Sequence, residues 1–284
     1  MSQEHIMQFR NREVTFDCPK VMGILNVTPD SFSDGGRFNE LDVAMRQAES
    51  MVNAGATFID VGGESTRPGA HAVSLSEELD RVIPVIEKIS SYLDVVVSID
   101  TSKAQVMTQA VQSGAGMIND VRALRSEGAL NAAVRAANDF DVPSCLMHMQ
   151  GDPQNMQNEP KYDGVVEQVI TFFKQRIKEC IAEGLDSRHI LIDPGFGFGK
   201  TLDHNYQLLK HINQFNQFDM PLLVGMSRKS MIGNLLKREV NQRLAGNIAT
   251  ATIAATAGVE IIRVHDVAET MDAIKIVNKL HSIE

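Results

Sequence analysis

The chain has 284 residues, 43% hydrophobic and 22% charged, ordinary proportions for a globular protein with ample core material. A net charge of −9 argues against general nucleic-acid binding, so an anionic ligand would need locally clustered Arg, Lys and His. No apolar run is long enough to span a bilayer, and the polar start MSQEHIMQFRNRE lacks the apolar core of a signal peptide.

Residues up to about 20 carry only a weak extended pattern and read as a short N-terminal extension. From 21 onward one unit repeats: an apolar run, a polar or glycine-rich turn, then an amphipathic helix. Strands are predicted at 21–27, 58–61, 95–99, 117–119, 144–147, 190–192, 222–224 and 261–264. The intervening helices are predicted at 42–54, 76–90, 103–113, 127–138, 162–183, 204–215, 242–257 and 268–281. In the first of them Val43, Ala44, Ala48, Met51 and Val52 share a face, and Gly55 stops it. The second opens with Ser76, Glu77 and Glu78, acids suited to a first turn. Eight strand-helix units in succession predict a (β/α)8 barrel, in one domain because no Pro/Ser-rich linker or charge block marks a boundary. A doubly wound sheet would usually stop at five or six strands.

The sixth strand leads into ILIDPGFGFGK, residues 190–200, where three apolar residues stop at Asp193 before a proline and three glycines. An acid at the end of a doubly buried strand faces whatever the C-terminal mouth encloses. A P-loop is the rival reading, but its first glycine would have to stand at Pro194, so the spacing to Lys200 fails by one residue. Cys18, Cys145 and Cys180 are odd in number and lack CxxC spacing; they read as reduced thiols of a cytoplasmic protein, with no zinc site.

The strand-end positions are Asn26, Asp60, Asp100, Asn119, His148, Asp193, Ser227 and His265, none a type that core packing wants. Each taken singly would serve as a helix cap. Several stand too far before their helices for that, so convergence on one ligand at the barrel mouth is the better reading. Arg263 and His265 lie two apart on a strand, hence on one face, and a buried Arg needs an anion. Arg67 stands in the loop after strand two, and Arg228 and Lys229 follow strand seven; barrels often bind phosphate near strands seven and eight.

The motifs GILNVTPDSFSDGG (23–36), DVGGESTRPGA (60–70), SIDTSK (98–103), IND (118–120), DPGFGFGK (193–200), GMSRKSMIG (225–233) and RVHDV (263–267) resemble the dihydropteroate synthase family of the folate pathway. The resemblance implies a transferase that joins 6-hydroxymethyl-7,8-dihydropterin diphosphate to 4-aminobenzoate, releasing diphosphate. It implies a pterin pocket lined by Asp100, Asn119, Asp193 and Lys229. Asn26, Arg263 and His265 would hold diphosphate, with Mg2+ at Asn26. Thr66, Arg67, Pro68 and Ser227 would lie on the aminobenzoate side with Phe198 stacking nearby, and loops around 32–34 and 65–69 would close over the substrates. Asp100 or Asp34 would stabilise the pterin methylene cation or take the amine proton, while Lys229, Arg263 and His265 assist. The family also implies a homodimer, which the Ala-rich seventh helix would suit. One alternative is a pterin-binding barrel serving a corrinoid methyltransferase, which has no need of the diphosphate residues or the STRPG loop; another is a non-catalytic binding protein.

Overall fold

The computed structural model describes residues 5–27, 37–65, 73–151, 156 and 160–283, with the backbone alone for 37–39. Eight parallel strands form a barrel: β3 (Lys20–Asn26), β4 (Phe58–Gly62), β5 (Val96–Asp100), β6 (Met117–Asp120), β7 (Ser144–Met147), β8 (Ile190–Asp193), β9 (Leu223–Val224) and β10 (Ile261–Val264). They are hydrogen-bonded in the order β8-β7-β6-β5-β4-β3-β10-β9, and a parallel bridge between Ile192 and Leu222 completes the ring. Around them stand α1 (Arg37–Asn53), α2 (Leu75–Tyr92), α3 (Ala104–Gln112), α4 (Ala129–Phe140), α5 (Val165–Ala182), α6 (Leu202–Lys210), α7 (Ser230–Leu236), α8 (Leu244–Thr256) and α9 (Val267–His281). The expected barrel is therefore present, with strand and helix limits within a few residues of the sequence reading.

Three features differ from expectation. The N-terminal extension is a folded antiparallel hairpin, β1 (Ile6–Phe9) and β2 (Arg12–Thr15), turned by Arg10 in the left-handed region. A four-residue strand has too few alternations to register as a pattern. The predicted helix 204–215 breaks after Lys210 into a 3-10 stretch, Ile212–Phe218, which buries Ile212 and Phe215. Their spacing of three matches that helix rather than the 3.6 of an α-helix. The loop after β9 contains α7, whose seven residues include Gly233, a weak signal for a helix.

Period-two alternation sorts the strand residues into an outward set that meets the helices and an inward set that fills the barrel. The lowest inward layer is apolar: Met22, Phe58, Val96, Met117, Cys145, Leu191, Leu223 and Ile261. The hairpin seals it from below with Met7, Phe9, Val14 and Phe16, and the Phe9 ring meets Phe58 edge-on at 5.0 Å. Two residues further along several strands the interior turns polar, with Asp60, Ser98, Asn119 and Asp193 all buried. Closing one end with hydrocarbon and lining the other with polar groups leaves the C-terminal mouth as the place for chemistry.

If the hairpin and barrel share one core, Phe9→Ala should destabilise the whole protein by about 3–5 kcal/mol in urea unfolding. A loss below about 1 kcal/mol, or a separate early transition, would show that the hairpin is not part of the cooperative unit.

Candidate active site

Inside the mouth, Arg263 of β10 bridges two carboxylates. Its Nε donates to Asp60 Oδ2 at 2.6 Å and its Nη2 to Asp100 Oδ2 at 2.9 Å. Asn119 Nδ2 donates to the same Asp60 oxygen at 3.0 Å. The second Asp60 oxygen and the Ser98 hydroxyl, on paired strand positions, are buried without a hydrogen-bond partner. The anion that a buried arginine requires is thus supplied from within. Asp60 was legible as a strand end but carried no assigned role.

Asp193 ends β8, and its Oδ1 accepts the Gly195 N–H at 2.7 Å. The loop beyond it is clamped by Lys200, whose buried ammonium donates to the carbonyls of Gly195 at 2.9 Å, Phe198 at 3.0 Å and His148 at 3.3 Å. The same ammonium lies 3.0 Å from His148 Nδ1. It faces protein carbonyls, as a phosphate-binding lysine would not. Gly195 has φ +72°, and a Cβ there would stand 1.9 Å from the His148 carbonyl oxygen, so only glycine permits this approach. Lys200 and His148 acquire structural roles that the sequence reading did not assign.

After β9 the chain carries Ser227 and Lys229 into the mouth. Ser227 Oγ lies 3.0 Å from His265 Nδ1, joining the ends of β9 and β10. Lys229 Nζ donates to the Phe196 carbonyl at 2.6 Å and lies 4.6 Å from the centre of the Phe198 ring. Asn26 closes β3; a Cβ on Gly62 would lie 3.8 Å from both Asn26 Oδ1 and Asp100 Oδ2, so these ends converge on a patch of bare backbone. Asp34, Thr66, Arg67, Pro68 and the loop around Phe32 lie outside the described residues.

Capping does not account for the strand-end residues. The N-cap positions are Ser74 for α2, Lys103 for α3, Gly128 for α4, Gly164 for α5, Thr201 for α6, Lys229 for α7 and Asp266 for α9. None is a strand-end residue. Among the described residues no group of three or more His, Cys, Asp or Glu could hold a metal ion. Asn26 offers a single amide oxygen, with the Asp100 carboxylate nearby. This fits Mg2+ arriving with phosphate oxygens and water, since that ion commonly takes only one or two protein ligands.

Burial sets the electrostatics. It pushes Asp100 up to about 7, with Asp60 adding to the rise and Arg263 opposing it. Asp193 is raised for the same reason against the pull of Lys229. Lys229 is lowered to about 8 and Lys200 to about 7 by burial, with Asp193 opposing both shifts. His148 falls to about 2 through burial and the nearby Lys200, so its imidazole is neutral.

A carboxyl with a folded pKa near 7 holds a proton between about pH 4 and 7 that the unfolded chain has released. Stability from this group is therefore lost as pH rises through that window. Asp100→Asn keeps an acceptor for Arg263 and leaves Asp60 paired, so it should remove that slope. The Tm of the variant relative to the native protein should rise from pH 5 to pH 8, as followed by calorimetry; a constant difference would show that Asp100 does not titrate there.

A family model described as pterin binding enzyme matches residues 22–265. The dihydropteroate synthase of Escherichia coli strain K12 is 55% identical over 259 residues, covering 91% of this chain and 90% of that protein. A crystal structure of the Yersinia pestis dihydropteroate synthase with a sulfonamide drug complex superposes with TM-score 0.93 at 53% identity, covering 98% of this chain and 100% of that one. The Xanthomonas albilineans dihydropteroate synthase with 4-aminobenzoic acid gives TM-score 0.92 at 46% identity, covering 99% and 100%. The chain belongs to the dihydropteroate synthase family of pterin binding enzymes.

Proposed function

We propose that the enzyme joins 6-hydroxymethyl-7,8-dihydropterin diphosphate to 4-aminobenzoate, forming 7,8-dihydropteroate and releasing diphosphate. The observation that carries the residue assignment is the division of the mouth. Buried Asp193 and Asn119 stand at the ends of β8 and β6, and Arg263 and His265 at the end of β10.

A pterin edge presents its 2-amino and N3–H donors beside the O4 acceptor. Asp193, fixed by Gly195, takes the donors, and Lys229 serves the acceptor. Asn119, anchored on Asp60, and Asp100 complete the pocket. Arg263, His265 and Asn26 receive the diphosphate, and Ser227 and Phe198 serve the aminobenzoate, a role the family resemblance also gives to Thr66, Arg67 and Pro68. In the reaction the aromatic amine attacks the pterin methylene carbon as the bond to the diphosphate oxygen breaks, and the electron pair leaves with that oxygen. Arg263 and His265 stabilise the charge that develops there. When bound at Asn26, Mg2+ supplies further neutralisation of the leaving diphosphate. The amine proton passes to a carboxylate. Asp100 has a proton affinity near neutrality that suits this transfer, and Asp34 is the other acid assigned to the step.

No helix among the described residues is long and apolar enough to cross a membrane, and the three cysteines are free. We place the enzyme in the cytoplasm. We also propose a homodimer through α7, α8 and the turn between them, where Leu235, Leu236, Val240, Leu244 and Ile253 are exposed although large and apolar. Association through that face should be weakened by Leu244→Glu, read by sedimentation; an unchanged mass would move the interface elsewhere.

Turnover with both substrates and Mg2+ tests the reaction itself and separates it from methyltransfer or simple binding. For the residues, Asp193→Asn should weaken pterin binding roughly 10- to 100-fold in calorimetry, because an amide sets a donor against the pterin N–H groups. Native affinity would remove Asp193 from the site. Arg263→Lys preserves a charge for Asp60 and Asp100 but loses the guanidinium fork. It should weaken the diphosphate ester at least about tenfold more than free hydroxymethylpterin; equal losses would make Arg263 purely structural.

A further inference from the structure

Ser227 and Lys229 are separated by Arg228, which has φ +58°, the left-handed region that a non-glycine residue enters at a cost of about 1–2 kcal/mol. This conformation is held from outside the mouth. Asn247, buried on α8, accepts the Arg228 N–H through Oδ1 at 2.8 Å. Its Nδ2 donates to Asp266 Oδ2 at 2.7 Å, and the other Asp266 oxygen receives Arg228 Nη2 at 2.5 Å. Arg243 Nη1 donates to the Arg228 carbonyl at 2.7 Å. Both backbone polar groups and the guanidinium of Arg228 are thereby gripped. Gly233 makes room for the last grip, since a Cβ there would stand 2.2 Å from Arg243 Cζ.

Asp266 directly follows His265 and is also the N-cap of α9, so the same pair ties the end of β10 to the loop after β9. Burial works against the Asp266 carboxylate, but hydrogen bonds from Arg228 and Asn247 outweigh it and hold its pKa below the ordinary range. We propose that Asn247 and Asp266 are a positioning pair: they lock Arg228 in its left-handed turn and so aim Ser227 at His265 and Lys229 at the carbonyl of Phe196. The inference rests on the assignment of Ser227, Lys229 and His265 to the substrate site.

The hydrogen-bond pattern can be inverted without changing net charge. Asn247→Asp alone sets two carboxylates face to face. Asp266→Asn alone leaves one amide oxygen for two donors, Asn247 Nδ2 and Arg228 Nη2. Together they restore every bond: the new carboxylate at 247 accepts the Arg228 N–H and the new amide N–H from 266, whose oxygen accepts Arg228 Nη2. Each single exchange, and Asn247→Ala, should lower kcat/KM for both substrates by roughly 10- to 100-fold, the scale expected when reacting groups are misplaced. The double exchange should recover to within about threefold of the native enzyme, a reversal that loss of one partner's hydrogen bonds does not explain. Lys229→Ala, measured alongside, tests the assignment beneath the proposal and should abolish most activity. If Lys229→Ala is active, the site assignment fails. If it is inactive and the double exchange is no better than the worse single exchange, the positioning pair is overturned. Thermal unfolding of all five variants confines the comparison to folded protein, and the double exchange decides the matter even if Asn247→Ala does not fold.

Discussion

The barrel mouth depends on one guanidinium. Arg263 is held inside a ring of parallel strands, where an uncompensated charge would cost several kcal/mol. Asp60 and Asp100 supply the compensation across two neighbouring strands, and Asn119 fixes the first of them. Because β10 pairs with β3, β3 with β4 and β4 with β5, this contact spans four strands and requires their registers to agree. The same contact brings two carboxylates close together, which helps raise the proton affinity of Asp100. A structural tie and a carboxyl of raised proton affinity are thus two results of one arrangement.

Around that tie the loops are held by polar side chains that grip backbone groups. Lys200 gathers three carbonyls of the glycine-rich turn and the β7 end. Asn247, Arg243 and Asp266 hold Arg228 from α8, from the residue before it and from the end of β10. The Lys200 network is buried, and such a network specifies a geometry because breaking any member leaves the others unpaired.

Much of this was legible in the chain. Eight apolar runs, each ending in Asn, Asp, His or Ser or close before one, announced both the barrel and the end that would bind something. Arg263 and His265 stood out because the surrounding strand was apolar. What was hidden is equally specific. Nothing near Arg263 in sequence names Asp60 as its partner, since they meet only when the ring closes. Lys200 looked like a failed phosphate motif because its carbonyl partners are backbone groups, which every residue possesses. The N-terminal hairpin was hidden by its brevity, although Phe9 and Phe16 are among the residues that plug the barrel floor.

The seam between β3 and β10 has a consequence for how the molecule comes into being. The first barrel strand to leave the ribosome must wait for the last before that edge is covered. Arg263 meets Asp60 across 203 positions of chain and Asp100 across 163. Contacts of such sequence separation are slow to form, because loop-closure entropy is lost before they reward it. No nascent chain that stops short of β10 can own the active site, however stable its first helices and strands become. An apolar parallel strand meanwhile stays open along one side, the kind of surface that invites association with other chains. The most delicate period in the life of this enzyme is therefore the interval of its own synthesis.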